Sequence, residues 1–196
     1  MVKKKEKKII FVTGNVYKFQ VAEKTIQGGN IKLIQKKLET PEIQSESVEE
    51  VAAFSAMWAA DVFKKPVVVS DGGCYIETLK GFPGPFIKYI NAWLSANDLL
   101  VVMKGKKNRK VTWKDCLAYC EPGEKPKTFV CYFEGTIAQK AGKVIFRKEY
   151  GWIDFLFIQT GHSKTLSELP MEEYLGFWSN PKKYDSWERL VKYLKL

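Results

Sequence analysis

Two periods of apolar and polar positions run along this chain. Ile9-Ile10-Phe11-Val12 is a short β-branched and aromatic run that stops at Thr13-Gly14-Asn15, the pattern of a buried strand entering a turn. The residues after it predict a helix over 16–26, ended by Gly28-Gly29-Asn30. A weakly alternating stretch over 31–38 predicts a second strand. Ser47-Val48-Glu49-Glu50 fits a capping box. The helix it opens should run to about Phe63, with Val51, Phe54, Ser55, Trp58 and Val62 on or near one face. Pro66-Val67-Val68-Val69-Ser70-Asp71 is the clearest strand, apolar enough to be covered on both faces. Gly72-Gly73 follows at once, which places Asp71 at the C-terminal edge of that strand, where open α/β sheets bind ligands.

Further along, Gly81-Phe82-Pro83-Gly84-Pro85-Phe86-Ile87-Lys88 reads as a tight loop leading into a helix through Leu94. A short helix is expected over 97–103. Stretches 111–113, 116–120, 128–137 and 143–147 read as antiparallel strands, with turns at Glu121-Pro122-Gly123-Glu124 and Ala141-Gly142. One more strand is expected over 155–158 and a last helix over 186–194. The fold class is α/β: an elongated mixed central β-sheet flanked by helices, with the antiparallel region as a second lobe. No internal repeat breaks the chain, and its 196 residues suit a single domain, 1–196.

Composition narrows the function. Aromatics at 14% and hydrophobics at 45% exclude a disordered tail. Cys74, Cys116, Cys120 and Cys131 lack the spacing of a disulfide framework or a zinc site and read as thiols of a reducing compartment. The one histidine, His162, lies in the polar stretch Gly161-His162-Ser163-Lys164 and reads as a solvated loop residue. A histidine-based triad is therefore disfavoured, and the chemistry falls to carboxylates and lysines. No run approaches the roughly 18 apolar residues of a membrane span, and the apolar run behind the basic N-terminus (1–8) is too short for a signal peptide. A cytoplasmic protein is expected. The net charge of +10 attracts polyanions in general.

Thr13-Gly14-Asn15-x-x-Lys18 lies between a strand and a helix N-terminus. Free backbone N–H groups and the helix dipole favour an anion there, and Lys18 can reach it, so phosphate is the natural ligand. The same residues also suit a plain cap and a surface lysine. Glu42 and Asp71 are the candidate metal ligands, because a hard divalent cation takes carboxylate oxygens and shares phosphate. On sequence alone a plain surface role suits Glu42 better.

These stretches, in order, resemble the inosine triphosphate pyrophosphatase (Ham/ITPase-like) family. Ile10-Phe11-Val12-Thr13-Gly14-Asn15-x-x-Lys18 is similar to its N-terminal signature. Pro41-Glu42-Ile43-Gln44, Val69-Ser70-Asp71-Gly72-Gly73, Gly81 to Lys88, and Lys164-Thr165-Leu166-Ser167-Glu168-Leu169-Pro170 match further signatures. The resemblance implies a hydrolase that converts a non-standard purine nucleoside triphosphate (ITP, dITP or XTP) to monophosphate and pyrophosphate, in a cleft between two lobes. It implies that Thr13, Gly14, Asn15, Lys18 and Gly72 hold the triphosphate and that Lys88 neutralises phosphate charge. Glu42 and Asp71 would organise Mg²⁺, with Mn²⁺ as the alternative metal, and the attacking water; Asp71 would be the base. Trp152 and Asp154 would serve the base end. A homodimer is implied as well.

The sequence departs from the family at three places. Ser70 stands where an acidic residue usually precedes the key Asp, and Gly72 where a hydroxyl residue follows it. The base-stacking segment reads Tyr150-Gly151-Trp152-Ile153-Asp154-Phe155, which aligns on Asp154 or on Trp152 but not on both. The late Ser-His-Arg stretch is missing from Glu172 to Pro181. Tyr174, Phe177, Trp178 and Trp152 are either a rebuilt stacking pocket or core or dimer-interface aromatics. The alternative to an enzyme is a weak or inactive relative that binds nucleotides, or binds nucleic acid through lysine clusters such as 104–110.

Overall fold

The structure, a computed structural model, describes residues 6–26, 30–144, 151–178 and 185–194. Expectations for the first five residues, Gly28-Gly29, 145–150 and 179–184 lie outside the described residues.

The chain begins with strand β1 (Lys7–Val12), helix α1 (Val16–Thr25) and strand β2 (Ile31–Lys36), with β1 and β2 parallel. Helix α2 (Val48–Phe63) starts where the capping signal put it, with the Ser47 hydroxyl accepting the Glu50 N–H at 3.2 Å. Strand β3 (Val67–Ile76) then pairs parallel to β1, from Ile10↔Val67 to Val12↔Val69. Alternation along β1 sends its side chains to both faces. Ile10 and Val12 join a core with Val48, Ala52, Ala56, Ala59 and Ala60 of α2. Phe11 packs instead against Phe19 of α1, and edge-on against Trp187 at 5.2 Å between centroids. The α2 face differs from the expected one. Its alanines, with Val48, Val51 and Ser55, form the buried stripe, while Val62 is exposed, because small residues let the helix lie close on the strands.

After β3 come strand β4 (Pro83–Gly84) and helices α3 (Ile87–Trp93) and α4 (Ala96–Val102). They are followed by strands β5 (Lys110–Cys120) and β6 (Lys127–Ile137), helix α5 (Trp152–Leu156), strand β7 (Phe157–Gln159), and helices α6 (Met171–Trp178) and α7 (Ser186–Tyr193). The strand order is β2-β1-β3-β5-β6-β7, with β4 paired to β3. β3–β4 and β6–β7 are antiparallel, so the sheet is mixed, with helices on its faces.

Four local expectations are corrected. β3 does not stop at Asp71. It continues through Gly72-Gly73, which a strand accommodates where another group packs closely on the glycines. β5 is one strand rather than two, because the polar residues that interrupt its pattern, Lys114 and Asp115, remain in the ladder. The stretch 155–158 is split, with α5 ending at Leu156 before β7 begins. Lys143 and Val144 belong to no strand. α6 had no counterpart in the sequence reading.

The chain divides into two compact units. One holds the described residues within Met1–Asp71, Asp115–Cys131 and Trp178–Leu196; the other comprises Gly72–Lys114 and Tyr132–Phe177. β3, β5 and β6 each pass from one unit to the other. No described helix is long and apolar enough to cross a membrane.

Candidate active site

In the first unit the β1–α1 turn is held at every polar position. Asn15 is the N-cap of α1, and its Oδ1 accepts the N–H groups of Tyr17 at 2.9 Å and Lys18 at 3.1 Å. The Asn15 N–H donates to Thr13 Oγ1 at 3.1 Å, so Thr13 and Asn15 fix each other. The Thr13 N–H donates to the Lys36 carbonyl at 2.9 Å, and Gln35 Nε2 donates to the Thr13 carbonyl at 3.2 Å. At Gly14 a Cβ would meet only the Lys37 stem, at 3.5 Å, an ordinary contact. The capping role of Asn15 is thus real, and the turn ends on the positive pole of a helix.

Lys18 is not an idle surface lysine. Its Nζ donates to the Ser70 carbonyl at 2.9 Å, tying the first turn of α1 to β3 beside Asp71. Asp71 itself lies just past the last β1–β3 pair and before the antiparallel pairing of Cys74 with Gly84. The parallel ladder ends there, so the carboxylate keeps a position at its edge although the strand goes on.

The residue that the sequence reading missed here is Asp115. It sits on β5, 5% exposed, and its carboxylate accepts the Ser70 hydroxyl at 3.3 Å and 3.5 Å. Cys116 reports the same gathering of charge. Burial pushes its thiol up, and the negative charges of Asp115, Glu49 and Asp71 push it further. A charged residue in the middle of an apolar strand was the available signal, but strand pairing was needed to give it a neighbour.

In the second unit, Gly72 has a concrete reason to lack a side chain. A Cβ there would lie 2.6 Å from Cζ2 of Trp113, so the indole occupies the space of a residue-72 side chain. Tyr75 covers Gly73 in the same way, with its ring 2.8 Å from a Cβ there. The loop before α3 turns at Gly81 and Gly84, whose φ values of 91° and 59° only glycine adopts without strain. It delivers Lys88 to the start of α3, exposed and 5.7 Å above the Tyr89 ring.

Trp152 and Asp154 open α5. Trp152 is 3% exposed and Asp154 6%. The Trp152 N–H donates to Asn91 Oδ1 at 3.1 Å, and Asp154 Oδ2 accepts the Gly151 N–H at 3.1 Å. Both residues therefore brace the helix start. Tyr174 and Phe177 of α6 are buried core residues: Phe177 stacks on Phe133 at 5.3 Å and meets Phe157 edge-on at 6.2 Å. His162 is an exposed loop residue, as expected.

Glu42 is exposed, on the segment between β2 and α2. Among the described residues no three His, Cys, Asp or Glu side chains form a ready metal cage. The nominated donors, Asp71 and Glu42, are carboxylate oxygens on separate elements. Carboxylate oxygens are the donor chemistry that a hard divalent cation takes.

A carboxylate at the end of the parallel ladder, next to the Lys18–Ser70 join and a capped helix start on a mixed α/β sheet, is an arrangement suited to a phosphate-bearing ligand. The comparisons with known proteins narrow it. The model of the Ham1 family matches residues 9–176, and the chain belongs to that family. A dITP/XTP pyrophosphatase of Methanopyrus kandleri is 37% identical over 167 residues, 85% of this chain and 86% of that protein. One of Methanosarcina mazei is 39% identical over 131 residues, 67% of this chain and 71% of the relative. The Ham1 protein of Staphylococcus aureus superimposes with a TM-score of 0.75 at 22% identity, covering 96% of this chain and 98% of its own, and so shares the fold.

Proposed function

We propose that this chain hydrolyses non-standard purine nucleoside triphosphates of the dITP/XTP class to the monophosphate and pyrophosphate. It is then a hydrolase acting on acid anhydrides, with the whole chain as one catalytic domain. The observation that carries the reading is the join between Lys18 Nζ and the Ser70 carbonyl, 2.9 Å, which sets a cation and the capped α1 start beside Asp71.

Hydrolysis of a triphosphate needs charge neutralisation and in-line positioning more than covalent help. In this reading Thr13, Gly14 and Asn15 present the turn and helix start to the triphosphate, and Lys18 neutralises it. Gly72, whose side-chain space the Trp113 indole fills, offers only backbone next to Asp71, and Lys88 adds positive charge. Asp71 accepts the proton of the attacking water. Mg²⁺, or Mn²⁺ in its place, would be held by Asp71 and Glu42 and would supply charge neutralisation at the phosphates. On the base side, Trp152 and Asp154 act by fixing the start of α5. A homodimer in the cytoplasm completes the proposal.

The experiment is a turnover screen with ITP, dITP, XTP, dUTP and the eight standard nucleotides, with Mg²⁺ or Mn²⁺ and an Asp71→Asn control. Pyrophosphate release is expected, highest for ITP, dITP or XTP and lost in the control. No release from any nucleotide with either metal would sink the reading in favour of a non-catalytic relative, and full activity of Asp71→Asn would sink the assignment of the base.

A further inference from the structure

We infer that Asp115 is a positioning residue of this site and that it acts through Ser70. The inference rests on the pyrophosphatase reading above and deepens it. Asp115 does not belong to the motifs of the chain. It lies 45 residues from Ser70 in sequence and reaches it because the two strands are neighbours in the sheet.

Ser70 is a junction. Its hydroxyl donates to the Asp115 carboxylate at 3.3 Å, and its carbonyl accepts Lys18 Nζ at 2.9 Å. Its peptide bond leads directly to Asp71. A shift of residue 70 therefore moves the anchor of the lysine and the aim of the catalytic carboxylate together. Asp115 holds that junction from the next strand. Burying a carboxyl group at 5% exposure in an apolar strand is unfavourable for stability, and a well-packed apolar residue at such a position is often at least as stabilising. Stability alone therefore does not account for the residue. Holding a reacting group within a fraction of an ångström does, because small misplacements lower rates steeply.

The contact at 3.3 Å is long for an O–H···O bond, so its value has to be measured as a coupling rather than assumed. The test compares the full-length chain with Ser70→Ala, Asp115→Ala, the double variant and Asp115→Asn, which keeps an acceptor oxygen for the Ser70 hydroxyl. Steady-state pyrophosphate release is measured on the nucleotide that the unaltered chain turns over best, with circular dichroism to check folding. Each alanine variant is expected to lower kcat about tenfold while KM stays within about twofold, since the aim of Asp71 matters in the chemical step. The double variant should be no worse than the weaker single variant, and Asp115→Asn should keep about half of kcat or more.

Wild-type kcat in Asp115→Ala would overturn the inference. So would losses that multiply to about a hundredfold in the double variant, which means the residues act independently. Asp115→Asn falling as far as the alanine variant would also overturn it, because the charge and not the hydrogen bond would then matter. If Asp115→Ala does not fold, the contrast between Ser70→Ala and Asp115→Asn decides alone. If the unaltered chain releases no pyrophosphate, the function has failed and the inference falls with it; if it does and the variants match it, only the inference has failed.

Discussion

Lys18 Nζ donates to the backbone carbonyl of Ser70 at 2.9 Å, across 52 residues of sequence. The lysine leaves the helix surface and lies along β3, one residue from Asp71. A carbonyl is a neutral acceptor, so the contact fixes the position of Nζ without setting a carboxylate against it. Pre-placed charge of this kind is what a polyanionic substrate needs, because no side-chain ordering remains to oppose binding.

Lys18→Met keeps the length of the side chain and removes the cation. Pyrophosphate release should fall by about two orders of magnitude in kcat/KM, the usual scale for removing one fixed electrostatic contact. Steady-state kinetics on ITP or XTP check this. A loss under threefold would move the phosphate away from the α1 start.

Asn15 caps α1 through Tyr17 and Lys18. Asn15→Ala should cost about 1 kcal/mol of stability. At about 2–4 °C per kcal/mol for a chain of this size, calorimetry can resolve the drop in Tm. Asn15→Asp keeps the acceptor oxygen and should retain the wild-type Tm.

Gly72 and Trp113 share one space. Gly72→Ala drives a Cβ to 2.6 Å from the indole and should lower stability by about 1–3 kcal/mol through overpacking. Trp113→Phe in the same chain removes the offending ring atoms and should recover part of the loss. Denaturant unfolding of the single and double variants measures both. A double variant less stable than Gly72→Ala alone would show that the indole is not the obstacle.

Glu121 links β1 to the end of β5. Its Oε1 accepts Lys7 Nζ at 2.8 Å and the Tyr119 hydroxyl at 2.6 Å. The Lys7 bond, the Tyr119 bond and the charge of Lys7 hold the Glu121 carboxyl below its ordinary value of 4.5. A carboxyl lowered in the folded state stabilises above its unfolded pKa, and that stability is lost as pH falls through the folded value. The Tm advantage over Glu121→Gln should therefore be constant from pH 7 to about 5 and shrink below about 4.5. With a side chain 44% exposed, solvent limits the advantage to about 1 kcal/mol or less. A gap that widens on acidification would contradict the assignment.

The start of the chain was legible because its signals are local. The apolar run of β1, Asn15 as a cap and the Ser47 cap of α2 each act within a few residues, and each is where the pattern put it. Gly72-Gly73 misled because two glycines after an apolar run read as a turn; here Trp113 and Tyr75 pack on them and the strand runs on through both. α6 was hidden because 172–181 was read as the place of the missing Ser-His-Arg stretch rather than as a helix, whereas its Phe177 packs on Phe133.

By itself the sequence determined the family, the α/β class, the capped helix start with its lysine and the carboxylate of Asp71. Each is a short ordered motif whose chemistry lies in neighbouring residues. Tertiary structure alone decided what surrounds them. It gave Lys18 the Ser70 carbonyl as its anchor, filled the space above Gly72 with Trp113, and set Asp115 against Ser70. The physical reason is strand pairing: a residue's neighbour across a sheet is fixed by register between strands, and no local pattern in either strand carries that register.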